Sequence, residues 1–111
     1  MSDCLFCKIA AGEIPAAKLF EDDRVVVFRD INPKADVHLL TVPREHVASL
    51  AECSEAHDGL LAHMLRLQPQ LAVEQGLAGG FRTIINTGKD GGQEIPHLHL
   101  HLLGGPKLPG F

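Results

Sequence analysis

The sequence predicts an α+β fold: a five-stranded antiparallel sheet with one long and one short helix, in a single domain spanning residues 1–111. Three observations lead there. Short apolar runs rich in Val, Ile and Phe alternate with Pro and Gly breaks, which is the pattern of strands and turns. The first two runs lie close enough in sequence to form a hairpin, which favours antiparallel pairing. Only one stretch, after Ser54, keeps apolar residues at helical spacing over many turns. A chain of this length buries one core and leaves little room for a second.

In chain order, Leu5 to Ala11 suits a short helix that ends near Gly12, before the break at Ile14-Pro15. Residues 18–30 read as two extended runs around a polar turn, Glu21 to Arg24, and Asn32-Pro33 closes the second run. Val37 to Val42 is a third strand, stopped by Pro43. Ser54 is placed to cap a helix in which Leu60, Leu61, Met64, Leu65, Leu67, Leu71 and Ala72 recur near the helical period, reaching to about Gly76. Pro69 lies inside it and predicts a kink or break, because it removes a backbone donor and clashes with the preceding turn. Phe81 to Asn86 and His97 to Leu103 complete the strands, separated by the polar, glycine-rich loop 87–96 and followed by an extended tail.

Composition limits the partners. No apolar run reaches the roughly 20 residues needed to cross a bilayer, so no membrane partner is expected. No basic segment precedes a long apolar core at the N-terminus, so a cytoplasmic, reducing location is the expectation. Three cysteines make a disulfide framework a poor explanation there. A net charge of −4 with scattered Lys and Arg predicts no nucleic-acid binding, although a local pocket can still hold a small phosphorylated ligand.

The run His97-Leu98-His99-Leu100-His101 carries the chemistry. On a strand, side chains alternate faces, so the leucines go to the core and the histidines share one side, successive rings about 6 to 7 Å apart. Three readings fit: a solvated strand face, a metal centre in which imidazoles share a zinc, and covalent catalysis by an imidazole that attacks phosphorus. The preceding loop favours phosphate chemistry, because Gly88, Gly91 and Gly92 let backbone amides turn toward a ligand and Gln93 adds a side-chain amide. Its plain alternative is a flexible hairpin loop.

These motifs form an ordered set over nearly the whole chain. Leu5-Phe-Cys-Lys-Ile, Gly12-Glu-Ile-Pro, Phe28-Arg-Asp-Ile-Asn-Pro and His38-Leu-Leu-Thr-Val-Pro precede Asn86-Thr-Gly-Lys-Asp-Gly-Gly-Gln and the histidine run, which ends in Leu102-Leu-Gly-Gly. The set resembles the histidine-triad nucleotide-binding family, and most of all its purine nucleoside phosphoramidate hydrolases. The resemblance implies a homodimer in which two sheets join into a continuous ten-stranded one. It implies a purine nucleotide substrate, no catalytic cofactor, and a covalent nucleotidyl intermediate on His99 that water releases. His101 and His38 would hold the phosphate and tune the nucleophile, with Asn86, Gly92 and Gln93 near the phosphate. Asp30 would bind the ribose hydroxyls, and Leu5, Phe6, Ile9, Phe28, Ile31 and Leu40 would enclose the base. Asp30 has an alternative as a turn-capping acid.

One position departs from the family. Members commonly carry Ser or Thr after Gly-Gly-Gln, whereas this chain has Glu94, as a general acid or as a solvent-facing residue. The pair Cys4-x-x-Cys7 is a two-ligand zinc clip by spacing alone. The resemblance adds His46 and His97, completing a structural Cys4, Cys7, His46, His97 set. The alternative is two small, half-buried thiols of a short helix. Cys53, His57 and His63 read as helix or surface residues. The competing functions are a nucleotide-binding or scaffold protein with vestigial catalysis, and a zinc enzyme using all three histidines of the run as ligands.

Overall fold

The computed structural model describes residues 4–110. Five antiparallel strands form one sheet in the order β1-β2-β3-β5-β4: β1 (Lys18–Glu21), β2 (Val25–Arg29), β3 (Val37–Pro43), β4 (Arg82–Ile84) and β5 (Leu100–Gly104). Helix α1 (Leu5–Ala10) covers one face and helix α2 (Asp58–Glu74) the other.

This layering explains why β2 reads as an unbroken apolar run rather than an alternating one. Val25 and Val27 pack with Leu60, Met64, Leu67 and Leu71 of α2, while Val26 and Phe28 pack with Phe6 and Ile9 of α1. Both faces are dry, so both sets are apolar. In β3, Leu39 goes to the α2 side, and His38, Leu40 and Val42 to the α1 side. Leu98, Leu100 and Leu102 all enter the α2 core, as the alternation predicts.

One side chain ties α1, the β1–β2 turn and the residue after β3 together. Arg44 donates from Nη1 to the Ala10 carbonyl (2.7 Å), from Nε to the Asp22 carbonyl (2.7 Å) and from Nη2 to Glu21 (2.8 Å). It thereby fixes the end of α1 against the β1–β2 turn. On the other side His63 of α2 pairs with Asp22 at 2.8 Å, so it has a partner that the sequence does not reveal.

Four local expectations need correction. The helix runs unbroken through Pro69, which lies on its exposed side, where water can serve the carbonyl left without a donor. Leu67 and Leu71, on either side of the proline, are 5% and 1% exposed, and their packing outweighs one lost backbone bond. Ser54 caps not α2 but a short 3₁₀ turn, Glu55–His57, that leads into it; the Ser54 amide donates to His57 Nδ1 at 2.9 Å. The edge strand is Arg82–Ile84, shorter than 81–86. The last strand starts at Leu100 rather than His97, because its partner β3 pairs with it no further than Thr41, opposite Leu100. The preceding amide, Leu98 N–H, bonds instead to the Val47 carbonyl (2.7 Å).

Candidate active site

The histidine run is divided between two places. His97 turns toward α1 and the chain after β3, whereas His99 and His101 open onto a cavity of about 510 Å³ between α1 and the sheet. Every residue expected to contact substrate lines that cavity except Gln93: Leu5, Phe6, Ile9, Phe28, Asp30, Ile31, Leu40, Asn86, Gly92, His99 and His101. His38 lines it too. So do Lys34, Arg29, Ile84 and Leu103, which sequence reasoning missed. Ile84 and Leu103 could have been found from strand alternation once β4 and β5 were in register with His101.

Hydrogen bonding sets the tautomer of each ring. His99 Nδ1 lies 2.7 Å from the His97 carbonyl oxygen, so it carries the proton and donates. In the neutral ring, Nε2 is then a bare lone pair. Phe6 packs edge-on against this ring, with centroids 5.0 Å apart. His38 accepts the Lys34 amide at Nδ1 (3.0 Å), so its proton is on Nε2, which donates to His101 Nδ1 at 2.9 Å. The His101 proton is therefore on Nε2. Burial, reinforced by the neighbouring His99 and His38, pushes the His101 pKa down to about 4, and burial also lowers that of His38. Both rings are neutral near pH 7, and the chain from Lys34 through His38 leaves His101 a donor at its free end.

Asp30 caps its turn and also borders the cavity. Its Oδ1 caps the turn by accepting the Asn32 amide (2.8 Å), while its Oδ2 stands 3.4 Å from His38 Nε2 and the residue lines the cavity.

The loop 87–96 does not cradle an anion with its glycine amides. Gly91 N–H bonds to the Gly88 carbonyl, Gly92 N–H to Lys89, Gln93 N–H to Gly88, and Gly88 N–H to Gln93 Oε1. A Cβ on Gly91 would collide with the Thr87 carbonyl oxygen, so glycine serves close packing there. The Gln93 side chain is also spent internally: its Nε2 donates to the carbonyls of Ala48 (2.7 Å) and Ile95 (2.9 Å). It braces the loop instead of facing the histidine cavity.

Among the described residues, two clusters bring metal-binding residue types together. In one, Cys4, Cys7, His46 and His97 place all their ligand atoms within 4.8 Å of one another. His97 is fully buried and donates from Nε2 to the Pro43 carbonyl (2.8 Å), which leaves Nδ1 bare. That nitrogen is 3.2 Å from His46 Nδ1, 3.3 Å from Cys4 Sγ and 3.5 Å from Cys7 Sγ. Two thiols and two imidazoles so converged fit a tetrahedral zinc ion, whose ligand atoms would lie about 3.4 to 3.8 Å apart. The predicted set is thus complete in space. The other cluster, Asp30, His38 and His101, is close but its donors do not converge: His38 Nε2 carries a proton aimed at His101. Neither cluster includes His99, so the three histidines of the run do not form one metal centre.

Comparison with known proteins fits this geometry. The family model for the scavenger mRNA decapping enzyme C-terminal binding domain matches residues 3–109. Protein HitA of Neisseria gonorrhoeae is 52% identical over 106 residues, covering 96% of this chain and 99% of that protein. The protein named adenylylsulfatase HINT1 of Arabidopsis thaliana is 41% identical over 109 residues, 96% of this chain and 74% of that protein. A crystal structure of a HIT family hydrolase from Legionella pneumophila superposes with a TM-score of 0.93 at 46% identity, covering 96% of each chain. The chain belongs to the histidine-triad (HIT) family.

Proposed function

We propose that this protein hydrolyses nucleoside 5'-phosphoramidates of the AMP or GMP type, or transfers their nucleotidyl group, through a covalent intermediate on His99. The observation that carries the reading is the His99 ring itself: Nδ1–H is held by the His97 carbonyl at 2.7 Å, which leaves Nε2 the free lone pair of a ring that lines the cavity. The apolar end of that cavity, formed by Phe6, Ile9, Phe28 and Leu40, suits a purine base, and Asp30 suits ribose hydroxyls. Similarity to an adenylylsulfatase and to a HIT family hydrolase supports a nucleotide hydrolase.

His99 Nε2 attacks phosphorus as the P–N bond breaks, and the nitrogen keeps the bond's electron pair and takes a proton from water, departing as the amine. Water then cleaves the nucleotidyl–His99 bond, releasing the nucleoside monophosphate and restoring the ring. Imidazole serves both halves because it is a good nucleophile and a good leaving group near neutral pH. His101 Nε2–H and the Asn86 amide stabilise the phosphoryl oxygens as their charge shifts. His38 holds His101 in the donating tautomer, and Gln93 acts by bracing the loop.

No catalytic cofactor enters this scheme. Zinc on Cys4, Cys7, His46 and His97 has a structural role, cross-linking α1 to the segment that holds His99. The chain works as a homodimer with a continuous ten-stranded sheet; β4 is an edge strand with Phe81 exposed beside it, which supports pairing between copies. A single domain acting in the cytoplasm completes the reading.

The test is AMP release from adenosine 5'-phosphoramidate, with a folded His99→Ala variant alongside. Turnover by the parent and its loss in the variant support nucleotidyl transfer. A folded parent that binds AMP without turnover is a nucleotide-binding protein instead.

A further inference from the structure

Glu94 lies where two cavities meet. The histidine cavity and a shallower, open groove of about 440 Å³ share only Gly92 and Glu94; the groove is otherwise lined by Gly88, Lys89, Gln93 and Pro96. The Glu94 side chain is exposed, but its backbone is braced on both sides. Gln93 before it makes three side-chain hydrogen bonds, and the Ile95 carbonyl after it accepts one of them. Glu94 is therefore held at the junction by a braced loop.

From these facts we infer that the open groove receives the leaving group and that Glu94 selects its charge, favouring amines that depart as cations over anionic groups such as sulfate. The inference rests on the phosphoramidate reading above. The base occupies the apolar end of the histidine cavity, and the leaving group departs in line, opposite the attacking His99 nitrogen. The groove adjoins the cavity at Gly92 and Glu94, which places a receiving surface for the departing group beside the histidines. There the nitrogen keeps the electron pair of the P–N bond and takes one proton from water to become an amine. A second proton from water in the open groove makes it an ammonium ion, which a carboxylate attracts. Sulfate would leave as a dianion and be repelled by the same group. Lys89 acts in the opposite sense, but it lines the groove alone, whereas Glu94 lines both the groove and the histidine cavity.

The experiment compares two substrates in one protein: the adenosine 5'-phosphoramidate of 1,3-diaminopropane, with a cationic leaving group, and adenosine 5'-phosphosulfate. The ratio of their kcat/KM values is measured for the parent, Glu94→Gln and Glu94→Lys at low ionic strength. The ratio is expected to fall roughly three- to tenfold in Glu94→Gln and further in Glu94→Lys, as befits a solvent-exposed charge contact, and to shrink with added salt in the parent. An unchanged ratio in both variants overturns the inference. Dissociation constants for the same compounds, measured with His99→Ala and with His99→Ala carrying Glu94→Gln, give a readout independent of turnover. If the parent turns over neither compound, the phosphoramidase reading fails. The shift in binding ratio between those two proteins then still decides the role of Glu94.

Discussion

The His97 carbonyl oxygen accepts the Nδ1 proton of His99 at 2.7 Å, while the His97 side chain points away into a cluster with Cys4, Cys7 and His46. One residue thus belongs to two sites. Its backbone orients His99, the proposed nucleophile, and its ring completes the proposed zinc-ligand set.

Replacing His97 with alanine should therefore lower kcat without abolishing it. Loss of a group that orients a reacting residue typically costs about 10- to 100-fold. KM should change little, because the proposed base and ribose contacts involve other residues. His99→Ala should fall below detection under the same conditions. Steady-state kinetics on both variants, with circular dichroism to confirm folding, makes the comparison. An unchanged kcat in His97→Ala would show that the carbonyl holds His99 without help from the ring that anchors it.

The protein should carry about one zinc per chain when purified without chelator, measured by elemental analysis. Cys4→Ser with Cys7→Ser should lose it. The melting temperature should drop by several degrees, since each kcal/mol is worth roughly 4 to 8 °C in a domain of this size. AMP release per folded molecule should persist, because His99 is outside the ligand set. Immediate loss of activity on chelation, with the fold intact, would contradict this.

Acid should destabilise the protein through its histidines. The His101 pKa, pushed by burial and by the neighbouring His99 and His38 to about 4, lies below the ordinary 6.5. The unfolded chain therefore binds a proton that the folded chain refuses between those values, so this contribution is complete above pH 6.5 and is lost as pH falls toward 4. His38, lowered by burial, works in the same direction. Melting temperatures should decline over that window, and the decline should be shallower in His101→Asn. An equal slope in the variant would remove His101 from the account.

Much of this was legible because the sequence patterns are local. The alternation of Leu98, Leu100 and Leu102 gave the core face, and the apolar positions of α2 gave its buried side. What was illegible depended on partners far away in the chain. That His97 leaves the ladder follows from where β3 pairs and from the Val47 carbonyl. The glycine amides of loop 87–96 donate to the carbonyls of Gly88 and Lys89 and to Gln93 Oε1, and Gly91 packs on Thr87, contacts that composition does not encode. His57 and His63 found Glu45 and Asp22, again across the chain. Pro69 passed through a helix because tertiary packing decided the outcome.

Gln93 offers the sharpest separation between bracing and phosphate contact. Its Nε2 donates to the carbonyls of Ala48 and Ile95, and its Oε1 accepts the Gly88 amide. Glu at this position keeps the acceptor but aims a carboxylate oxygen at two carbonyls. Gln93→Glu should then cost more stability than Gln93→Ala, by roughly 1 to 3 kcal/mol, the usual penalty for leaving such groups unsatisfied. A direct phosphate ligand would predict a different pattern, with both variants stable and both raising KM for the nucleotide. Urea denaturation followed by KM measurement distinguishes the two. Greater instability of the Glu variant, with hydrogen exchange quickened across residues 88–96, would establish Gln93 as the brace that holds the junction beside His99.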